Sequence, residues 1–344
     1  MDSLERFQTA MALGQPDIPP IFYQHFGAGE WILRDLGMTM KQAHEHPENI
    51  VKCQARAREA YGHDNLIAGW GCYIEAHALG SLWSWENKSY YYPRITKYRV
   101  TSPDDLSSLS VPDPREDHMM STYIEALRLM NERYGSHVPV LGFVNSPLIA
   151  AEELRGCEAL FIDTIINPSF YEKLLGIVTE TNMRYVASMI EEAGVLGILI
   201  EDGSMGRDQL SREQAKRINL PYTARLVDQI KNKSRWAIIH NCSSQPYLDL
   251  HASLTPSAID FWIKAKVDPV EVKRDLKGIC ISTGVDAVSD MVVEKAARVE
   301  CSVLDSYREY GLEGGFLIST GAEIPLSAPV ENVWAIKRAA TKCV

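Results

Sequence analysis

Short apolar runs ending in glycine, asparagine, aspartate or proline recur through this chain, with longer segments of helical spacing between them. Eight runs read as strands: residues 21–25, 66–70, 138–144, 197–201, 236–241, 258–262, 278–283 and 315–319. Most are apolar at nearly every position, as strands buried on both faces are. Residues 169–192, 212–231 and 289–310 carry their apolar positions at the spacing of amphipathic helices. Such alternation predicts a parallel sheet with helical crossovers, and eight units favour a closed (β/α)8 TIM barrel over an open doubly wound sheet. No dinucleotide or P-loop glycine fingerprint supports the open alternative. The whole chain, 1–344, is read as a single domain.

Two segments interrupt the pattern. Residues 1–20 read as an amphipathic N-terminal helix followed by a proline-rich entry into the first strand. Residues 73–112 are aromatic and turn-rich, with Trp83, Trp85, Tyr90, Tyr91 and Tyr92 ahead of Pro93. They predict a hairpin inserted after the second strand, leading to a helix start at Ser102-Pro103-Asp104-Asp105-Leu106. Its aromatics either pack the insertion onto the barrel or form a lid over substrate.

Composition narrows the function. With 344 residues, 46% of them hydrophobic, the chain can bury a large core, while a net charge of −10 argues against nucleic acid or an anionic membrane as partner. Seven cysteines without disulfide spacing, no signal-like start and no apolar run near 18 residues predict a soluble cytoplasmic protein with reduced thiols. Apolar helix positions leave a homodimer open.

In such barrels chemistry gathers at the C-terminal ends of the strands. Here those ends offer His25, Trp70, Asn145, Glu201 with Asp202, His240 with Cys242, Trp262, Asp286 and Glu323. Taken singly, most have ordinary readings: His25 as a hydrogen-bonded structural histidine, Trp70 and Trp262 as caps on the core, Asp286 as a helix cap. His240 and Cys242 are different. Two apart on one strand, they project to the same side and offer nitrogen and sulfur to a metal such as zinc. Of Glu201 and Asp202, one acid is placed to complete that site and the other to orient His240. Helix capping is the alternative for this pair.

The chain resembles the uroporphyrinogen decarboxylase superfamily, particularly its corrinoid-linked methyltransferase branch. The resemblance rests on Glu5-Arg6-Phe7 with Gly14, the 101–106 segment, Leu210-Ser211, the His240-x-Cys242 motif, and the ending Gly314-Gly315-Phe316-Leu317-Ile318-Ser319-Thr320-Gly321-Ala322-Glu323-Ile324-Pro325 with Pro329-Val330-Glu331-Asn332. It implies a (β/α)8 enzyme that holds zinc through His-x-Cys and a distant cysteine, and that passes methyl between a small substrate and the cobalt of a separate corrinoid protein. His240 and Cys242 match the first pair, but Ala322 stands where the distant cysteine is expected. Glu201 is the favoured third ligand, Glu323 is the other candidate, and a metal-free protein is the remaining outcome. The decarboxylase branch fits less well: no arginine-rich loop follows the first strand, and Arg34 stands alone.

The expected activity is methyl transfer, with zinc bound to the donor heteroatom as a Lewis acid and Asp202 or Glu201 as the acid beside it. Tyr23, Trp70, Phe143 and Trp262 suggest a flat apolar pocket, so an aromatic methyl ether is the preferred donor. His25, Asn145 and Asp286 complete the expected substrate contacts. Transfer from methylcobamide to a thiol or a tetrahydrofolate is the alternative direction. Others are a metal-free decarboxylase-like enzyme with its own lyase chemistry, and a non-catalytic relative that binds a small molecule or the corrinoid protein. No Asp-x-His-x-x-Gly signature is present, so the corrinoid is expected on a partner or free in solution.

Overall fold

A computed structural model describes residues 1–23, 29–68, 73–85 and 92–343. Its main sheet is parallel and seven-stranded: β1 (Leu66–Ala68), β4 (Val140–Asn145), β5 (Gly197–Glu201), β6 (Trp236–Asn241), β7 (Ala258–Phe261), β8 (Cys280–Gly284) and β9 (Phe316–Ser319), adjacent in that order. The predicted barrel is borne out. β2 (Leu82–Ser84) and β3 (Arg94–Lys97) form the antiparallel hairpin of the insertion.

The first expected strand is a correction. Residues 24 and 25 lie outside the described set, and over 21–23 pairing is reduced to one bridge, Ile21 to Ile318 of β9. On the other side a side chain closes the ring. Asn65 Oδ1 accepts from the Tyr23 N–H at 2.9 Å, and Asn65 Nδ2 donates to the Tyr23 carbonyl at 2.8 Å. Pro19 and Pro20 supply no N–H to a ladder, so a longer strand start is not available.

Alternation along the strands separates two cores. Phe143, Leu199, Ile238, Ala258 and Cys280 are lateral neighbours and fill the barrel interior. Phe7 and Ala10 of the helix Ser3–Met11 join the same cluster, so this helix plugs the barrel. Its start is fixed by a capping box between Asp2 and Glu5. The intervening residues Ile198, Ile200 and Ile239 face outward onto the helical layer, as the period of two requires.

Two predicted helices are broken. The 212–231 segment has a π-type turn over Ala215–Asn219 ahead of Leu220–Asn232, because Pro221 has no N–H for a regular i−4 bond. The 289–310 segment divides at Glu294-Lys295 into Ser289–Val293 and Ala296–Ser306.

Candidate metal centre

Two residues above the apolar interior layer, the same five strands present a polar one. Asn145, Glu201, His240, Asp260 and Ser282 are consecutive lateral partners across β4 to β8. Side-by-side residues of parallel strands share a face, so this row stands on the apolar floor at the barrel mouth.

Within it, His240 is held from both sides. Its Nδ1 lies 2.6 Å from Asp260 Oδ2, and its Nε2 lies 3.5 Å from Glu201 Oε2. Asp260 also accepts from Ser282 Oγ at 2.5 Å and from Ser319 Oγ, so a fully buried carboxylate is oriented by two hydroxyls. A carboxylate on Nδ1 keeps a proton on that nitrogen and directs Nε2 toward Glu201 and Cys242. Burial opposes charge on this imidazole, but Glu201, Asp260 and Cys242 outweigh it, and its pKa lies well above the usual histidine value.

Cys242 is exposed, with Sγ 3.9 Å from Glu201 Oε1. The following loop is pinned by Asp208, which accepts from Ser243 Oγ at 2.7 Å, from the Ser244 N–H at 2.7 Å and from Ser244 Oγ at 2.8 Å. Glu201 is pushed above the usual carboxylate range, first by burial, with His240 acting against the shift. Among the described residues, Glu201, His240 and Cys242 form the group able to hold a metal ion, their ligand atoms lying within 4.8 Å of one another. A carboxylate, an imidazole oriented by a carboxylate, and a thiol fit zinc with a coordination position to spare.

Several expected site residues lie elsewhere. Asp202 is the principal correction: it is fully buried and turned away from the mouth, accepting from Asn219 Nδ2 at 2.8 Å and Thr223 Oγ1 at 3.3 Å, with His251 Nε2 at 3.0 Å. The orienting role expected of it belongs to Asp260. Tyr23 packs in the outer core against Tyr61 and His63, ring centroids 6.3 and 4.8 Å away, rather than in a substrate pocket. Asn145 is engaged with Glu75, its N–H and Nδ2 donating at 2.8 and 3.0 Å. Phe143 belongs to the interior floor. Trp262 Nε1 donates to Asp286, which also accepts the Val288 N–H at 3.1 Å as a turn cap. His25, Trp70, Tyr90 and Tyr91 lie outside the described residues.

Of the insertion's aromatics, Trp83 stacks on His77 at 4.1 Å, Trp85 faces His44 at 5.9 Å, and the Tyr92 hydroxyl donates to Glu323. Glu323, the other ligand candidate, is thus bound to the hairpin, and burial raises its pKa well above the usual range. Sequence reasoning missed Asp260, Asp208 and Glu75. Only Asp260 carried a signal, a lone acid in the apolar run 258–262.

The fold and the site together define a (β/α)8 barrel protein with a mixed oxygen, nitrogen and sulfur centre at its C-terminal rim. The chain belongs to the uroporphyrinogen decarboxylase (URO-D) family, whose profile matches residues 2–343. It is 22% identical over 242 residues to the methylcobamide:CoM methyltransferase MtbA of Methanosarcina mazei, covering 70% of each chain. To the uroporphyrinogen decarboxylase of Anaeromyxobacter dehalogenans it is 22% identical over 299 residues, covering 84% of each. The solved structure of a methyltransferase from Methanosarcina mazei superposes with a TM-score of 0.89 over 99% of both chains at 19% identity. The sequence resemblance to the corrinoid-linked methyltransferase branch is borne out.

Proposed function

We propose that this chain is a zinc-dependent methyltransferase that moves a methyl group between a small methylated compound and the cobalt of a corrinoid carried by another protein. The observation that carries the reading is the convergence of Glu201, His240 and Cys242, with Asp260 on the far nitrogen of His240. These three residues would hold the zinc, which when bound supplies Lewis-acid activation of the donor heteroatom. The chain's own residues do the rest. Asp260 keeps the His240 proton on Nδ1, and the layer of Phe143, Leu199 and Ile238 closes the barrel beneath the site to water.

Methyl transfer from a donor, rather than to an anionic thiol, is favoured by the ligand set. A single thiolate leaves a bound zinc more electrophilic than two would. That supports an uncharged donor, and we favour an aromatic methyl ether, with Trp262 at the rim as a contact.

The test is zinc content of the purified chain, followed by demethylation of a methoxyarene panel in the presence of corrinoid protein. About one zinc per chain is expected, depleted in Glu201→Ala, His240→Ala and Cys242→Ala. Metal-free wild type would end the zinc reading. Zinc with no turnover of any methoxyarene, but with methylation of a thiol by methylcobamide, would reverse the direction.

A further inference from the structure

Gly203 follows the Glu201-Asp202 pair and is not among the glycines with positive φ. Any L-residue can adopt such a backbone, so conformational freedom does not account for glycine here. Space does. A Cβ at this position would lie 2.8 Å from Cys242 Sγ and 2.9 Å from Glu201 Oε1. Those are atoms of two candidate ligands at the ends of adjacent strands, and no Cβ tolerates contacts that short. The Gly203 N–H also donates to Glu201 Oε1 at 3.1 Å. That bond engages one carboxylate oxygen and leaves Oε2, 3.5 Å from His240 Nε2, on the histidine side.

We propose that Gly203 is a positioning residue of the metal centre: its missing side chain is the volume into which the Glu201 carboxylate and the Cys242 thiol converge, and its N–H selects the oxygen offered to the metal. The proposal rests on the zinc reading above and deepens it. It accounts for a third ligand arising from β5 in a chain where Ala322 cannot contribute one. The carboxylate curls back over its own strand end, which only a residue without a side chain two positions on permits. Both crowded atoms are side-chain termini rather than backbone, each able to turn about its own torsions. Alanine at 203 is therefore accommodated by splaying the ligands apart, with the fold kept.

The experiment uses the full chain and zinc itself as probe. Zinc affinity is measured by chelator competition in wild type, Gly203→Ala, Glu201→Ala and the double variant, with thermal unfolding of each metal-free protein as the control. Cobalt(II) substitution supplies a spectrum that a merely structural role would not move. Gly203→Ala is expected to keep the metal-free melting profile, weaken zinc binding by about 10–100-fold, and alter the cobalt ligand-field and thiolate charge-transfer bands. In the Glu201→Ala background the same change is expected to add less than about threefold, because one crowded partner is gone. Unchanged affinity and spectrum in Gly203→Ala would overturn the inference while leaving the zinc reading intact. Equal losses in both backgrounds would overturn it too, assigning the effect to the fold. A wild type that binds no zinc would remove the reading on which it rests.

Discussion

Asp202 and Asp260 show what one side chain's direction decides. Both are fully buried acids beside a histidine, yet only Asp260 shares a face with His240. Asp202 follows Glu201 and so faces the helical layer, where His251, Asn219 and Thr223 satisfy it. The Glu201-Asp202 dipeptide was legible as a site feature, but the strand period alone says that one member must turn away, not which. The two acids should fail differently. Asp260→Ala is expected to weaken zinc binding by about 10–100-fold, because His240 loses the partner that fixes its tautomer. Asp202→Ala should retain stoichiometric zinc but lower stability by about 3 kcal/mol, since a buried polar group is removed from three partners. Chelator competition and urea unfolding on the same two proteins separate these outcomes.

At the scale of elements, strands were easier to read than helices. Residues 197–201 and 236–241 form strands over those bounds because their apolar runs are short and end at polar groups that chemistry requires at the rim. The helix 212–231 was read as continuous, and its π-type turn was not foreseen. The extra residue in that turn accompanies the placement of Asn219 against Asp202, a tertiary bond that sequence period does not reveal. The short helix Ile74–Ala78 carries a further contact of this kind, Glu75 on the end of β4. Burial is the main cause of the Glu75 shift to about 7, although the Asn145 bonds oppose it. The folded state therefore holds a proton that the unfolded chain releases near pH 4.5. Stability from this group is complete below that value and is lost as pH rises through about 7, with a slope of up to about 1.4 kcal/mol per pH unit. Urea midpoints between pH 4.5 and 8 should show the decline, and Glu75→Gln should make it shallower, with Glu152, which burial also raises to about 7, keeping its own share. A wild-type profile already flat over that interval would mean that Glu75 is ionised in the folded protein.

For the whole molecule, seven of the eight expected strands form the sheet, and among the described residues the first is reduced to a bridge at Ile21. The sheet runs continuously from β1 to β9, and the seam between them is filled by residues 20–23. On the β9 side the seam is backbone to backbone: Phe22 N–H to the Ile318 carbonyl at 2.8 Å and Ile318 N–H to the Pro20 carbonyl at 2.9 Å. On the β1 side the Asp64 N–H donates to the Ile21 carbonyl at 2.9 Å, and two consecutive side chains supply the remaining contacts. Asp64 accepts the Ile21 N–H at 2.8 Å, and Asn65 spans both backbone groups of Tyr23. Asp64 further accepts from Ser3 Oγ at 2.7 Å and Arg6 Nη1 at 3.0 Å, which ties the plugging helix to the seam. Hydropathy cannot reveal this arrangement, because it depends on polar residues buried between strands. It also predicts a strict requirement for an amide. Asn65→Ala orphans a buried donor and a buried acceptor, at about 1–3 kcal/mol each. Asn65→Asp keeps the acceptor for the Tyr23 N–H but loses the donor and sets a second carboxylate beside Asp64, so it should be no better than alanine. Hydrogen exchange would localise the damage: protection of the Tyr23 amide should fall in both variants, while the Ile239 amide inside β6 stays protected. Loss of protection at both places would show that the seam is not a local closure and that the barrel opens as one cooperative unit.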